Sequence, residues 1–252
     1  MNDITVILNC YKRPEYLREQ IDAIENQTIK PKEIWIWYNN PEDQEQIDLS
    51  EEFGDYKIIT SNHNFKFHGR FALGLLVQTE YVVFFDDDTI PGSRWFENCF
   101  NTLEKTGDAI LGTAGVLFTG NIDEFSYSRN AKIGWNGSQY EEITEVDLVG
   151  HSWFLKTENL KYLFYEKPYT WDNGEDIMLS YMAHKYGNIK TFVPPHPKNE
   201  QDLWGSKHDT GWDYGTDDNA TWKTGSHFNL RNEIVAHYKK DGWIPCRLRK
   251  TN

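Results

Sequence analysis

The sequence has little cysteine, a shortage of basic residues and no long hydrophobic run. Its three cysteines, Cys10, Cys99 and Cys246, show neither metal-ligand spacing nor a disulfide framework, which favours a reducing compartment. No apolar segment approaches the ~18 residues needed to span a membrane, and no basic and apolar leader precedes Ile4. We therefore expect a cytoplasmic protein without a transmembrane helix. Because repeats, low-complexity segments and clear linkers are also missing, we expect one domain over residues 1–252.

The charge balance limits the possible partners. Acidic residues outnumber basic ones by 39 to 26, which gives a formal net charge of −13 at pH 7. Such a surface repels bulk nucleic acid and anionic membranes, so neither is expected as a partner. An acidic protein that binds a phosphorylated ligand needs a local device such as a metal ion. Aromatic residues make up 15% of the chain, which excludes global disorder, and nothing in the sequence indicates the oligomeric state.

Hydrophobic periodicity divides the chain into a regular first half and an irregular second half. The first half alternates predicted strands with predicted helices, which is typical of βαβ units and a largely parallel sheet. In the second half, the stretch 199–226 is rich in Asp, Gly and Trp and is predicted to be a long loop. The predicted strands are 4–9, 33–38, 56–60, 81–85, 109–118, 145–149 and 189–193, and the predicted helices start at 14 and cover 70–79, 93–105, 156–164, 175–186 and 230–240.

Three consecutive aspartates follow one of the predicted buried strands. Val82–Phe85 is apolar and leads directly into Asp86, Asp87 and Asp88. In open α/β sheets, ligands bind at the carboxyl ends of the strands. Adjacent carboxylates repel each other, and a divalent cation with oxygen ligands, completed by nucleotide phosphates, relieves that repulsion. The alternative is a solvated acidic turn that caps the next helix.

A second acidic motif opens a later helix. Glu175 and Asp176 follow Gly174 at the start of the predicted helix 175–186. One carboxylate can cap the helix N-terminus, while the other can face a cleft as a general base or as a stabiliser of positive charge. Capping alone would explain this motif in isolation. Its presence in the same chain as the aspartate triplet favours catalysis.

Together these motifs resemble nucleotide-sugar glycosyltransferases of the GT-A type. The opening segment 4–14 resembles the first strand and loop of family 2 glycosyltransferases, and the triplet with Thr89 resembles their DXD metal motif. The triplet is especially similar to that of exostosin-like N-acetylhexosaminyltransferases. Segments 68–71 and 146–155 and the motif Gly174-Glu175-Asp176-Ile177 also resemble theirs, in the same order along residues 3–193.

The resemblance implies a fold and an activity. The fold would be a single GT-A (Rossmann-like) α/β domain with a mostly parallel central sheet flanked by helices. Residues 1–105 would form the nucleotide-sugar half, and residues 106–252 an elaborated acceptor half. The enzyme would be a hexosyl- or N-acetylhexosaminyltransferase that uses Mn²⁺ or Mg²⁺. It would move a sugar from a nucleotide-diphosphate donor, a UDP-sugar by expectation, to a hydroxyl acceptor such as a glycan.

The resemblance also assigns roles to residues. Asn39 or Asn40 would stand where many members place an aspartate that contacts the nucleoside, which leaves the identity of the base open. Trp204 is an acceptor candidate because it lies in the loop without an apolar period, where an aromatic face could stack on a sugar. The full assignment is Asp176 and Glu175 as catalytic carboxylates; Asn9, Tyr11, Arg13, Asn39, Asn40, Arg70, Asp86 and Asp87 for the donor; Asp88, Asp86, His196 and His208 for the metal; and His151, Trp153 and Trp204 for the acceptor.

Two other classes of protein remain as alternatives. Asp86 and Asp88 have the D-x-D spacing of haloacid-dehalogenase-like phosphatases. However, Ile90 stands where that family has Thr or Val, and that motif normally begins its fold. A non-catalytic carbohydrate-binding module would account for the tryptophans. It would have no need for an aspartate triplet together with a Glu-Asp helix.

Overall fold

The computed structural model describes residues 3–39, 47–134, 140–206, 214–218, 220–223 and 225–249. Eleven strands are found in these ranges. In chain order they are β1 Ile4–Cys10, β2 Glu33–Asn39, β3 Lys57–Ser61, β4 Tyr81–Phe85, β5 Ala109–Leu111, β6 Ala114–Phe118, β7 Asn130–Ile133, β8 Thr144–Val146, β9 Leu148–Gly150, β10 Ser152–Lys156 and β11 Lys190–Val193.

Six α-helices are found in the same ranges, together with short 3₁₀ turns. The helices are α1 Leu17–Glu25, α2 Ser50–Phe53, α3 His68–Gly74, α4 Trp95–Thr106, α5 Glu175–Gly187 and α6 His227–Lys240. The 3₁₀ segments are Pro14–Tyr16, Thr157–Phe164, Gln201–Leu203, Thr221–Lys223 and Cys246–Leu248. Among the described residues, no helix combines the length and the apolar character needed to cross a membrane.

Eight strands form the central sheet, in the order β3-β2-β1-β4-β10-β5-β11-β8. Strands β3, β2, β1 and β4 are parallel neighbours, whereas β10 runs antiparallel to both β4 and β5. A second sheet has the order β7-β6-β9. The carboxyl ends of β1, β2 and β4 therefore meet at one edge, and the amino end of β10 lies at that same edge.

The central sheet is packed on both faces. Side chains of β1 alternate between the two faces, as the two-residue period of a strand requires, with Ile7 on one side and Val6 and Leu8 on the other. Residues of α3, α5 and α6 belong to the core on the Ile7 side, and residues of α1 and α4 to the core on the other side. The predicted α/β class with helices flanking a large sheet is confirmed.

In the second half, two predicted strands are each divided in two, and two further strands are present. The predicted strand 109–118 is divided at Gly112, where a Cβ would lie only 2.4 Å from Cβ of Val149. The next backbone N–H, of Thr113, donates to Oγ of Ser152 at 3.1 Å instead of continuing a ladder. The predicted strand 145–149 is likewise divided, and β7 and β10 have no counterpart among the predicted strands. Short strands that change sheets carry too few residues for their periodicity to be recognised.

Candidate active site

The edge where β1, β2, β4 and β10 meet opens into a cavity of about 590 Å³, which we call the central cavity. Its wall includes residues from the first strand, such as Asn9, and from the last helix, such as Arg231. A volume of this size is typical of small-molecule ligand sites. The sequence-predicted residues that line it are Asn9, Tyr11, Arg13, Asn39, Arg70, Asp86, Asp87, Asp88, His151, Trp153, Glu175 and Asp176.

His151 is brought to the aspartate triplet by the antiparallel pairing of β10 with β4. Ser152 lies opposite Phe85 in that ladder, so the residues at the strand ends become neighbours. The backbone N–H of Asp86 donates to the carbonyl oxygen of His151 at 2.9 Å. His151 has φ of 64°, a left-handed conformation that costs a residue with a Cβ on the order of 1 kcal/mol. The fold keeps His151 in this conformation despite the cost, which points to a functional role for this position.

Asp86, Asp88 and His151 form a group that could hold a metal ion. One ligand atom from each of the three lies within 4.8 Å of the others. The imidazole Nδ1 of His151 lies 3.8 Å from a carboxylate oxygen of Asp88. Burial acts to raise the pKa of Asp88, but His151 and then Arg13 outweigh it and lower that pKa. Two carboxylates with one imidazole are a donor set that suits a divalent cation such as Mn²⁺.

Arg13 links the triplet to Asp217, which lies within the predicted loop 199–226. Its guanidinium lies 3.0 Å from Asp87 and 3.4 Å from Asp88, and it binds Asp217 with both Nε and Nη2, at 3.1 and 2.6 Å. Burial, then the neighbouring charge of Asp88, raises the pKa of Asp87 to about 7 despite Arg13. The three carboxylates thus sit in unequal surroundings. Asp87 faces Arg13, while Asp88 faces both Arg13 and His151.

A second buried arginine, Arg70 on α3, joins the triplet to the acidic helix. It lies 2.5 Å from Asp86 and 3.3 Å from Glu175, and its guanidinium lies 4.5 Å from the ring centre of Trp153. Burial, then the charge of Asp176, raises the pKa of Glu175 to about 7. Trp153 is 2% exposed, so it lines the cavity as part of a packed wall.

Asp176 is paired with a third buried arginine, on α6. Nη2 of Arg231 lies 2.5 Å from a carboxylate oxygen of Asp176, and Nη1 donates to Asn173 at 2.8 Å. Gly174, with φ of 84°, precedes the helix and lets the chain turn sharply into it. Sequence reasoning did not find Arg231. It lies in a predicted helix, but nothing local marks it as the partner of an acid 55 positions earlier.

Asparagines and a lysine border the cavity beside β2. Asn39 donates to Oδ1 of Asn64 at 3.0 Å and accepts from the backbone N–H of Phe65, so its amide holds the loop before α3. Nδ2 of Asn64 donates to the hydroxyl of Tyr11 at 3.0 Å. Lys66 and Asn9 complete this part of the wall. Asn40 lies outside the described residues.

His196 and Trp204 are not brought to the carboxylates. His196 is 1% exposed and lies between the rings of Trp95 and Trp204, with centroid distances of 5.9 and 5.8 Å. Its Nε2 accepts from the backbone N–H of Gly205, and burial lowers its pKa to about 4. Trp204 is fully buried and donates to the carbonyl of Pro197. Neither lines the central cavity, and His208 lies outside the described residues.

Comparison with known proteins identifies the family. The sequence profile of glycosyl transferase family 2 matches residues 5–164, which is more than half of the chain. The chain belongs to this family. An uncharacterized glycosyltransferase, MJ1057 of Methanocaldococcus jannaschii, is 26% identical over 245 residues, covering 89% of this chain and 81% of that protein. Family membership favours sugar transfer from a nucleotide donor over the phosphatase and the binding module.

A solved structure supports the fold of this family 2 member. The crystal structure of S. aureus TarS superposes with a TM-score of 0.52 and 15% sequence identity, over 80% of this chain. The chain spans only 38% of the TarS chain, so the comparison concerns the fold alone. With the family match, it confirms the expected GT-A architecture.

Proposed function

We propose that this family 2 glycosyltransferase is a metal-dependent enzyme that transfers a hexose or N-acetylhexosamine from a UDP-sugar to a hydroxyl group, most simply that of a glycan. One observation carries the proposal. The candidate ligands Asp86, Asp88 and His151 share a single cavity with the acidic pair Glu175 and Asp176. A nucleotide-sugar reaction needs both, because charge develops at the diphosphate and at the sugar at the same time.

Asp86, Asp88 and His151 would hold Mn²⁺ or Mg²⁺. When bound, the ion supplies positive charge that offsets the charge developing on the departing diphosphate. His151 is here assigned to the metal rather than to the acceptor, because its imidazole lies 3.8 Å from Asp88. The imidazole favours Mn²⁺ over Mg²⁺, since nitrogen ligands suit transition metals better.

The arginines and asparagines would bind the donor. Arg13 and Arg70 lie beside the triplet, where their guanidinium groups can hydrogen-bond phosphate oxygens. Asn9, Tyr11 and Asn39 line the part of the cavity nearest β1 and β2, and they would surround the nucleoside.

The acidic pair would handle the proton of the acceptor. The acceptor oxygen bonds to the anomeric carbon, the bond between that carbon and the phosphate oxygen breaks, and the diphosphate leaves with the electron pair. The hydroxyl proton passes to Asp176, which Arg231 holds in position at 2.5 Å. Glu175, bound to Arg70, would stabilise positive charge at the sugar or take the proton in its place.

A donor screen tests the proposal. Unfolding temperature is measured with UDP-, GDP- and TDP-sugars, each with Mn²⁺ and with a chelator. A ligand that binds only the folded state raises the midpoint by mass action. We expect UDP-sugars with Mn²⁺ to give the largest shift and slow donor hydrolysis to accompany it. Equal shifts in metal and in chelator would contradict the metal assignment, and no shift with any nucleotide sugar would contradict the function.

A further inference from the structure

One end of the central cavity contains a cluster of nitrogen groups around an aromatic ring. The ring belongs to Tyr127, which is 6% exposed. The guanidinium of Arg231 lies 4.3 Å from its centre, the ammonium of Lys132 5.3 Å, and the imidazole of His227 6.5 Å. All four residues line the cavity, and we call them the Tyr127 cluster. None of them was assigned a role above except Arg231, which positions Asp176.

Two nitrogen atoms of this cluster lack hydrogen-bond partners within the described part of the chain. They are Nε of Arg231 and Nδ1 of His227, and both are shielded from solvent by protein atoms. A buried N–H without an acceptor costs on the order of 1–3 kcal/mol, so native structures retain one mainly where a ligand completes it. Arg231 already uses Nη1 and Nη2 on Asn173 and Asp176, which leaves Nε for another acceptor.

The positive groups of the cluster also repel each other. Lys132 is exposed at the cavity, yet desolvation by the atoms around it, and then the charge of Arg231, lowers its pKa to about 8. Asp176 acts in the opposite direction on Lys132 but does not cancel the effect. Burial, then Arg231, lowers the pKa of His227 to about 4, so its ring is neutral at pH 7. An anion placed between Lys132 and Arg231 would relieve this repulsion.

We propose that the acceptor carries an oxyanion, a carboxylate or a phosphate, that is bound between Lys132 and Arg231 in the Tyr127 cluster. This proposal rests on the proposed function, since it concerns the acceptor of that reaction. Arg231 also holds Asp176, so the anion would lie close to the hydroxyl that reacts. The acceptor would then be a sugar that carries a carboxylate or a phosphate rather than a neutral glycan. The neutral imidazole of His227 would add a further hydrogen bond.

The first experiment measures binding directly, because the acceptor is not identified. The pKa of the Lys132 ammonium is followed by NMR of ¹³C-labelled lysine while inorganic phosphate, methyl glucuronide or methyl glucoside is added. A bound anion stabilises the charged ammonium, so this pKa should rise towards 10.4 with one or both anions and stay constant with methyl glucoside. The two anionic probes distinguish a phosphate from a carboxylate as the source. No rise with either anion, or the same rise with methyl glucoside, overturns the proposal.

The second experiment uses a matched pair of variants. Lys132→Met removes the ammonium but keeps most of the side chain. Lys161→Met is its control, because Lys161 is also exposed and lies 5.1 Å from the ring centre of Tyr162, away from the cavity. Calorimetric affinity for the bound anion should fall about tenfold or more in Lys132→Met and stay within twofold in Lys161→Met. An unchanged affinity in Lys132→Met also overturns the proposal.

The failure of this proposal and that of the proposed function can be distinguished. Donor affinity is measured separately, by titrating the UDP-sugar with Mn²⁺ into the wild-type protein. If the protein binds the donor but the pKa of Lys132 does not change, the proposed function is supported and the anionic acceptor is contradicted. If the pKa of Lys132 responds to the anions but the protein binds no nucleotide sugar, the anion site is supported and the proposed function is contradicted.

Discussion

Glu175 and Asp176 are consecutive residues, yet they belong to different ends of the central cavity. Glu175 is bound by Arg70, which also binds Asp86 at the end of β4. Asp176 is bound by Arg231 from α6, beside Tyr127. The two carboxylates are therefore adjacent in sequence but are bound by different arginines. The sharp turn at Gly174 and a separate arginine for each acid allow the first turn of α5 to place one carboxylate at each end of the central cavity.

Two of the histidines of the second half, His151 and His196, show a similar contrast. His151 lies at the triplet, where the charge of Asp88 outweighs the effect of burial and raises its pKa. His196 lies in the core between two tryptophans, where burial alone lowers its pKa to about 4. We propose the first as a metal ligand, whereas the second packs the core. Each follows a predicted strand by two or three residues, so residue type and position do not separate them.

The largest effect should come from removing a carboxylate of the aspartate triplet. Asp88→Asn removes one of the three candidate metal ligands, and turnover should fall about 10³-fold, because an ion of this kind contributes several kcal/mol to stabilising the leaving group. Asp87→Asn is the comparison: Asp87 contacts Arg13 but is outside the group of three, so donor binding should still depend on Mn²⁺ in this variant. The measurement is donor affinity by calorimetry with Mn²⁺ and with chelator, together with turnover. Metal-dependent donor binding that survives in Asp88→Asn would contradict the assignment.

The turn that separates the two acids can be tested through stability. In Gly174→Ala, the alanine must adopt φ of 84°, and its Cβ would lie 2.5 Å from Cδ1 of Ile234. We expect the free energy of unfolding to fall by about 3 kcal/mol from strain and overpacking together. Gly242→Ala is the control, because Gly242 follows α6 with φ of 101° and nothing lies within 4 Å of a new Cβ, so it should cost only about 1 kcal/mol. Urea unfolding of both variants checks this, and equal losses would show that the contact with Ile234 is unimportant.

Exchanging the two acids for amides compares their roles. Asp176→Asn should lower kcat about 10²-fold, because a carboxylate that accepts the acceptor proton is lost. Donor affinity should change little, since the donor would be held by the triplet and its arginines. Glu175→Gln should have the smaller effect on kcat if Glu175 mainly holds Arg70. Near-normal turnover in Asp176→Asn with a stable fold would move the base assignment to Glu175.

The smallest effect concerns the buried histidine. The unfolded chain binds a proton at His196 near pH 6.5, whereas the folded chain does so only near pH 4. The contribution of His196 to the free energy of unfolding is therefore fully present above pH 6.5 and is lost as the pH falls towards 4. His196→Gln, which keeps an acceptor for Gly205, should reduce the loss of unfolding free energy between pH 8 and pH 5 by about 2 kcal/mol. Urea unfolding at both pH values measures it, and an unchanged difference would show that His196 is protonated in the fold.

Much of the donor side could be predicted from the sequence. The apolar runs of β1 and β4 and the acids that follow β4 are local signals, and parallel strands bring their carboxyl ends together by rule. His151 could not be assigned to the triplet, because that depends on the antiparallel register of β10, a strand too short to predict. Arg231 and the Arg13–Asp217 pair could not be found either. Their partners lie 55 and 204 positions away, and no sequence period connects them.

The pairing of Asp176 with Arg231 has a consequence for the growing chain on the ribosome. Asp176 emerges 55 residues before its arginine. Burying a carboxylate without its partner costs about 3–5 kcal/mol, so the start of α5 has no stable buried arrangement until α6 is available to dock. The nascent polypeptide can complete β1 to β4 early, but it cannot yet close the part of the cavity that contains Asp176. Translation order thus delays the candidate site until one of the last helices arrives.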